Sequence, residues 1–168
     1  SIAVDNARLY EAVQRELAER RQAEESLRRS EAAFRLLFEQ APIGMAITNL
    51  EGRYLRVNEA LRKTLGYSPE ELANMSFMDV TLPQDLPLNL ELRQKTLRGE
   101  IPGFRLEKRF LTRSGELVYA ILQVGLARDA QGEPLHFIGH VVDISEGKAD
   151  EVALRRSEAR YRTLFESA

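Results

Sequence analysis

The chain has 168 residues but contains no cysteine and only two histidines, His136 and His140. The absence of cysteine excludes disulfides, thiolate nucleophiles and cysteine metal sites, and two histidines exclude a histidine-rich metal centre. No apolar run approaches the roughly 20 residues that a membrane-spanning helix needs, and no signal peptide opens the chain. We therefore expect a cytoplasmic protein without metal and without direct membrane contact.

The chain also lacks an excess of charge of one sign. It contains 24 basic and 26 acidic residues, which give a net charge of −2. This balance gives no electrostatic reason to expect nucleic acid as a partner. The sequence also shows no constellation of nucleophile, base and oxyanion donors. We expect that this chain is not an enzyme by itself.

An internal repeat divides the chain. The sequence Leu-Arg-Arg-Ser-Glu-Ala occurs at residues 27–32 and again at 154–159, and the match resumes at residues 37–41 and 164–168. The offset between the copies is constant at 127 residues. The repeat indicates one complete unit followed by the opening of a second. The alternative is that two amphipathic helices resemble each other by composition.

The first part of the chain is predicted to be one long helix over residues 5–40, because no proline or glycine occurs before Pro42. Its apolar side chains recur at intervals of three and four, as in a coiled-coil seam. The seam residues are Tyr10, Val13, Leu17, Leu27, Phe34 and Phe38. Arg20 and Glu24 interrupt this seam, so its packing would be loose and its register easily shifted. We favour a parallel coiled coil in a homodimer, and the alternative is a solvated spacer.

Beyond Pro42 the hydrophobic period changes to that of strands. Short strands are predicted at residues 43–50 and 53–57, and long strands at 104–112, 117–128 and 134–144. Between the second and third strands, three helices are predicted: one from Asn58 to Gly66, one opened by Ser68 and Pro69, and one of about a dozen residues before Gly99. Hairpin-linked strands imply antiparallel pairing. The predicted fold class is therefore α+β, with one five-stranded antiparallel sheet, inserted short helices and long helices at both ends.

Several segments together resemble a PAS domain with its C-terminal extension. The matching segments are residues 41–48 (APIGMAIT), 56–60 (RVNEA), 65–72 (LGYSPEEL), 113–116 (RSGE), 137–139 (FIG) and 142–145 (VDIS). None is specific alone, but their order over about 115 residues is typical of the family. The resemblance implies a sensory domain at residues 30–145.

The flanking segments are similar to other sensory domains. Residues 3–10 resemble the last helix of a GAF domain, and residues 154–168 resemble the entry helix of another PAS domain. The resemblance implies a linker helix at 1–29, an exit helix with the start of the next unit at 146–168, and a larger protein of the form GAF–PAS–PAS–output. A sensor histidine kinase or a cyclic-di-GMP enzyme would be the output.

A ligand would lie between the concave face of the sheet and the inserted helices. Alternation along the strands and the resemblance together assign ten residues to this space. The cavity candidates are Ala46, Thr48, Leu61, Leu65, Phe110, Ala120, Leu122, Val124, Gly139 and Val141. Because they are nearly all apolar, we favour filled core, and the alternative is a cavity for a small apolar ligand.

The resemblance also bears on cofactors, and we expect none. Phe77 falls where the flavin-binding branch of the family has its cysteine, and apolar Phe110, Ala120 and Val141 fall where that branch has amide side chains. A haem would need an axial ligand, but the helix at residues 84–98 has no histidine. His140 is out of phase with Val141 and is expected on the other face of the sheet.

The end of the domain carries the expected signal junction, Asp143-Ile144-Ser145. Ser145 can cap the exit helix, and the resemblance implies that Asp143 pairs with a basic residue. Upstream, alternating charges from Glu107 to Arg109 predict cross-strand ion pairs. The overall hypothesis is a PAS domain that relays a conformational signal through its helices. The alternatives are a structural dimerisation spacer and a receptor for a small apolar ligand.

Overall fold

The computed structural model describes residues 1–166 and divides the chain into two compact units, Ser1–Glu39 and the part from Gln40 onward. This division lies ten residues beyond the predicted boundary at residue 29, and it does not separate the predicted exit segment at 146–168. The last two residues of that segment, Ser167 and Ala168, lie outside the described residues. The three domain limits inferred from the repeat and the resemblance therefore stay a prediction.

The first unit consists of one helix, α1 (Ile2–Gln40), as predicted from the absence of helix breakers. Its seam residues Tyr10, Val13, Leu17, Leu27 and Phe34 are exposed in the single chain, whereas the Phe38 side chain is only 2% exposed. The Phe34 and Phe38 rings stack with centroids 5.6 Å apart. Within residues 1–166, no helix combines the length and the apolar character needed to cross a membrane.

The second unit is built on a five-stranded antiparallel sheet, which confirms the predicted fold class. The strands are β1 (Gly44–Thr48), β2 (Tyr54–Val57), β3 (Gly103–Leu111), β4 (Leu117–Arg128) and β5 (Pro134–Asp143). They lie in the order β2-β1-β5-β4-β3, so the last strand of the chain is the central strand of the sheet. The sheet continues directly into α5 (Ser145–Glu166).

The three predicted inserted helices are present, and α2 and α3 begin at their predicted capping residues. They are α2 (Glu59–Leu65), α3 (Pro69–Leu72) and α4 (Leu86–Leu97), the last preceded by a 3-10 turn at Pro83–Asp85. Gly66 ends α2 with a φ of +81°, a left-handed conformation that glycine adopts without strain. Ser68 opens α3 in a capping box with Glu71.

Asn58 is the cap that ties α2 to the sheet. Its Oδ1 accepts hydrogen bonds from the backbone N–H groups of Leu61 at 3.1 Å and Met45 at 2.8 Å. Its Nδ2 donates to the Ile43 carbonyl at 3.0 Å, and the side chain is fully buried. One side-chain amide therefore provides hydrogen-bond partners both for the start of α2 and for the backbone at the start of β1.

The hydrophobic core lies between one face of the sheet and the inserted segments. Its largest fully buried apolar side chains are Phe110, Phe137, Leu61, Leu65, Leu72 and Val80. In contrast, the three buried side chains of α4, Asn89, Arg93 and Thr96, are all polar or charged. The core is thus apolar beneath the sheet and polar where α4 covers it.

We predict that Asn58→Ala lowers the free energy of unfolding by about 2–4 kcal/mol, because it removes a helix cap and leaves buried backbone groups of β1 without their partner. Urea denaturation measures the change. Ser68→Ala is the matched control, since Ser68 caps α3 at a half-buried position and its loss should cost about 1 kcal/mol. Equal losses in the two variants would contradict the bridging role of Asn58.

Candidate functional site

A cavity of about 40 Å³ lies in the core of the second unit, which is room for a few water molecules. Strands β1 to β5 contribute its sheet-side wall, and α2, α4 and Phe77 contribute the rest. Eight of the ten predicted cavity residues lie on this wall: Ala46, Thr48, Leu61, Phe110, Leu122, Val124, Gly139 and Val141. Leu65 and Ala120 are fully buried in the core but do not line the cavity. A ligand for this wall stays a prediction.

The expectation of a nearly apolar wall is wrong, because two cationic side chains line the cavity. Arg93 enters it from α4 and Lys108 from β3, and their exposed fractions are only 6% and 3%. Their neutral polar neighbours on the wall are Tyr54, Thr48 and Asn89. Among the described residues, no carboxylate lines this cavity.

Lys108 is held by neutral oxygens and aromatic rings. Its Nζ donates to Thr81 Oγ1 at 2.8 Å and to Asn89 Oδ1 at 3.1 Å, and it lies 4.2 Å from the centre of the Phe110 ring. Burial and, secondarily, repulsion from Arg93 lower the pKa of Lys108 to about 7, although the attraction of Asp85 partly opposes them. The side-chain amine of Lys108 therefore changes between its charged and neutral forms near neutral pH.

Arg93 is placed between two aromatic rings. Its guanidinium carbon lies 3.8 Å from the centre of the Phe137 ring and 4.5 Å from that of Phe77. Its Nη1 donates to Thr48 Oγ1 at 3.4 Å and its Nη2 to the Asn49 carbonyl at 3.2 Å. Burial lowers the pKa of Arg93 to about 10, so the group remains cationic at neutral pH.

The two cations share one aromatic neighbour, since Lys108 Nζ also lies 5.5 Å from the centre of the Phe77 ring. Cation–π contacts stabilise each charge, by up to about 2 kcal/mol when water is excluded. Removing an ion from water costs several kcal/mol, however, and two neighbouring cations repel each other. The site therefore holds positive charge that its own walls do not neutralise.

Period-two alternation was the missed signal for Lys108, which is in phase with Leu106 and Phe110 and buried with them. For Arg93, the signal was the spacing of Asn89, Arg93 and Thr96 at intervals of four and three, which places them on one face of α4. Because cationic residues are seldom fully buried, neither residue was among the predicted cavity residues.

The predicted cross-strand ion pairs at residues 107–109 do not form. The β4 neighbours of Glu107, Lys108 and Arg109 are Ile121, Ala120 and Tyr119, none of which is charged. Arg109 instead pairs with Asp85 of the 3-10 turn at 2.6 Å and 2.9 Å, which keeps the pKa of that carboxyl below its usual value.

The junction between sheet and exit helix differs in detail from the prediction. Ser145 Oγ accepts the backbone N–H of Tyr119 in β4 at 3.0 Å, rather than capping the helix as expected. The Ile144 N–H donates to the Tyr119 carbonyl at 2.8 Å, so Tyr119 is bonded on both sides. Asp143 Oδ1 accepts the Ser145 N–H at 2.8 Å and thus serves the start of α5.

The expected pairing of Asp143 with a basic residue is not found within residues 1–166, where its carboxylate bonds to the Ser145 N–H. The basic residue at the junction is Lys148 of α5. Its Nζ lies 3.2 Å from a carboxylate oxygen of Glu107 in β3 and 3.5 Å from one of Glu151. An ion pair from β3, rather than from Asp143, therefore joins the sheet to the helix.

The residues at the positions that other family members use for flavin or haem are mostly apolar. Phe77, Phe110 and Val141 line the cavity with apolar surface, and Ala120 is buried beside them. Helix α4 contains no histidine, and half-buried His140 does not line the cavity. The absence of flavin and haem stays a prediction.

Comparison with known proteins gives a consistent result. The family described as the PAS fold matches residues 32–144. The chain is 43% identical over 122 residues to the probable diguanylate cyclase DgcE of Escherichia coli K12, which covers 73% of this chain and 11% of that protein. It is 24% identical over 143 residues to the sensor histidine kinase TmoS of Ectopseudomonas mendocina, which covers 85% of this chain and 15% of TmoS. The chain thus spans less than a sixth of either relative.

Among solved structures, the chain is similar to a domain of a sensory box sensor histidine kinase/response regulator from Geobacter sulfurreducens. The TM-score is 0.58 at 27% identity, and the similarity covers 70% of this chain and 96% of that domain. The predicted sheet and inserted helices therefore correspond to a fold that is observed experimentally.

We predict that Lys108 makes stability depend on pH. Its pKa is lower in the folded chain than in the unfolded chain, so between about pH 7 and pH 10 the unfolded state binds more protons. The free energy of unfolding should consequently rise with pH, by up to about 1.4 kcal/mol per pH unit from this residue. Urea denaturation at pH 6 and pH 8.5 measures the slope.

Lys108→Met should flatten this slope, whereas the matched control Lys63→Met should retain it because the Lys63 side chain is 75% exposed. Arg93 keeps its charge in this pH range, Asp85 is already ionised, and burial raises the pKa of Tyr54 well above it. The same slope in all three proteins would contradict the placement of Lys108.

Proposed function

The chain belongs to the PAS fold family, and from this premise we propose that its PAS domain relays a conformational signal through β5 and α5 to an output domain in the same protein. The similarity to parts of DgcE and TmoS supports a place in a larger signalling protein. The output would be a diguanylate cyclase or a histidine kinase, and this domain would regulate it without catalysing a reaction.

The observation that carries the proposal is the bonding of the exit helix to the sheet. The N–H and C=O groups of Tyr119 bond to Ser145 and Ile144, and Lys148 pairs with Glu107. A shift of β3 or β4 against β5 would change these contacts at the first turn of α5. A relay needs such a mechanical connection, because coupling requires contacts that differ between states.

The seam of α1 supports a dimeric relay. Val13 and Leu17 are exposed apolar residues at a spacing of four in a helix that is rich in charged residues. A parallel homodimer would cover them, and the polar positions Arg20 and Glu24 would keep the interface weak enough to shift. The upstream and downstream partners would be the adjacent GAF and PAS domains.

A structural spacer is the second candidate, and the surface of the helices favours it. Salt bridges such as those of Glu25 with Arg28 and Arg29 stabilise a long helix without any partner. A spacer would need α5 to be straight and stable but would not need it to respond to changes at Tyr119. The two functions therefore predict different behaviour of α5 when a hydrogen bond between α5 and the sheet is removed.

We predict that Ser145→Ala accelerates amide hydrogen exchange at residues 146–152 by roughly fivefold or more, because α5 loses its side-chain bond to β4. Ser157→Ala is the matched control, since Ser157 is an exposed residue of the same helix. Mass spectrometry after proteolysis measures the exchange. Equal exchange in wild type and Ser145→Ala would leave α5 uncoupled and would favour the spacer.

We predict that the two copies of α1 lie parallel and in register. Because the chain has no cysteine, a single Leu17→Cys substitution places one thiol in each copy. In a parallel dimer the seam positions face each other, so mild oxidation should produce a covalent dimer within minutes. Ala18→Cys, one residue off the seam, is the control and should cross-link several times more slowly. Equal rates, or a monomer by sedimentation at high concentration, would contradict the parallel dimer.

A further inference from the structure

The cavity has a composition that an apolar core does not require. Two buried cations, Arg93 and Lys108, point to one small space whose other polar groups are neutral. Asp85 is the carboxylate that acts on Lys108 electrostatically, but its oxygens bind Arg109 at 2.6 Å and 2.9 Å. The charge that Arg93 and Lys108 bring into the core is thus left without an anionic partner on the wall.

A purely structural role accounts poorly for this pair. Apolar side chains of similar volume pack in a core without the desolvation penalty of an ion. Phe137 and Phe110 each stabilise one of the two cations, but both cations also lie within 5.5 Å of the centre of the same Phe77 ring. While Lys108 is protonated, negative charge between the two cations would relieve their mutual repulsion.

We propose that this cavity binds a small carboxylate anion, with the carboxylate between Arg93 and Lys108 and a short carbon chain against Phe77 and Phe137. This inference rests on the proposed function, because the bound anion would be the signal that the domain relays. It differs both from the filled core that the sequence favoured and from its alternative, a small apolar ligand, since an apolar molecule would leave both charges uncompensated.

The chemistry of the wall selects a carboxylate over other anions. A guanidinium presents a planar set of donors that matches two carboxylate oxygens, and an ammonium group adds a point charge. Leu122, Val124 and Val141 make the remaining wall apolar, which suits a carbon chain better than a fully hydrated phosphate. The cavity volume of about 40 Å³ restricts the ligand to short chains.

The cavity is also connected to the junction. Lys108 lies opposite Ala120 in the β3–β4 ladder, and Ala120 adjoins Tyr119, which bonds to Ile144 and Ser145. An anion that draws the Lys108 ammonium group toward Arg93 would act on β3 one residue pair away from the exit helix. Ligand binding and output would thus share a short chain of contacts.

Isothermal titration of the whole 168-residue chain with sodium acetate and sodium propionate, at pH 6.5 and constant ionic strength, tests the proposal. We expect saturable binding with one site per chain, and a rise in Tm of about 3 °C at tenfold excess over Kd. Arg93→Met and Lys108→Met should each weaken binding about tenfold or more, as expected for loss of a charge-assisted hydrogen bond. The surface control Lys63→Met should bind as wild type does.

The wild-type chain provides a second measurement that does not depend on the folding of a variant. Acetate affinity should fall about fivefold or more between pH 6.5 and pH 8.5, because Lys108 loses its proton while acetate remains ionised. Arg93 and Asp85 act electrostatically on Lys108, and Tyr54 shares the cavity wall with it; none of these three groups changes charge in this range. A constant affinity would overturn the role of Lys108.

Absence of saturable binding, or binding that both methionine variants retain, would overturn the proposal. Stronger binding of chloride or phosphate than of acetate would overturn the carboxylate assignment. A failure here is distinguishable from a failure of the relay. No acetate binding with faster α5 exchange in Ser145→Ala would reject only the ligand, whereas binding without any effect of Ser145→Ala would reject only the relay.

Discussion

The structure of the domain depends on one topological constraint, which is that the last strand in sequence is the central strand of the sheet. β5 pairs with β1 on one side and with β4 on the other. Within the sheet, the β1–β2 pair and the β3–β4 pair are therefore joined through β5. The chain then passes from this central strand into α5 within two residues, Asp143 to Ser145. In the proposed relay, a change in the pairing of β5 would therefore reach the exit helix directly.

The buried cations of the core are the second feature on which the proposed relay depends. Arg93 and Lys108 lie on the inner side of the sheet, held by rings and neutral oxygens that stabilise them only in part. Burying this positive charge costs free energy, and the proposed anion would reduce that cost by binding. The proposed anion would act as a signal if it bound two conformations of β3 and α4 with different affinities, which is the requirement for a relay.

The local rules of the sequence were sufficient for most of the fold. Caps and turns such as Asn58, Gly66 and Ser68 specify backbone geometry within a few residues, and they placed the inserted helices correctly. Eight of the ten predicted cavity residues lie on the wall, seven of them at strand positions that alternation assigned and one, Leu61, on α2. The two cations were missed because their burial depends on tertiary neighbours, although Lys108 had the inward phase. The predicted partner of Arg109 was wrong for the same reason, since Arg109 bonds to Asp85 of a distant segment. The prediction for Asp143 was wrong because its carboxylate bonds locally to the Ser145 N–H.

The central claim is that a change at the buried cations reaches the exit helix through Tyr119. The most direct measurement is the hydrogen exchange of the Ile144 and Ser145 amides in wild type and in Arg93→Met, each with and without saturating acetate. We expect acetate to slow this exchange at least threefold in wild type and to have no effect in Arg93→Met. Unchanged exchange in wild type under conditions where acetate is bound would contradict the claim.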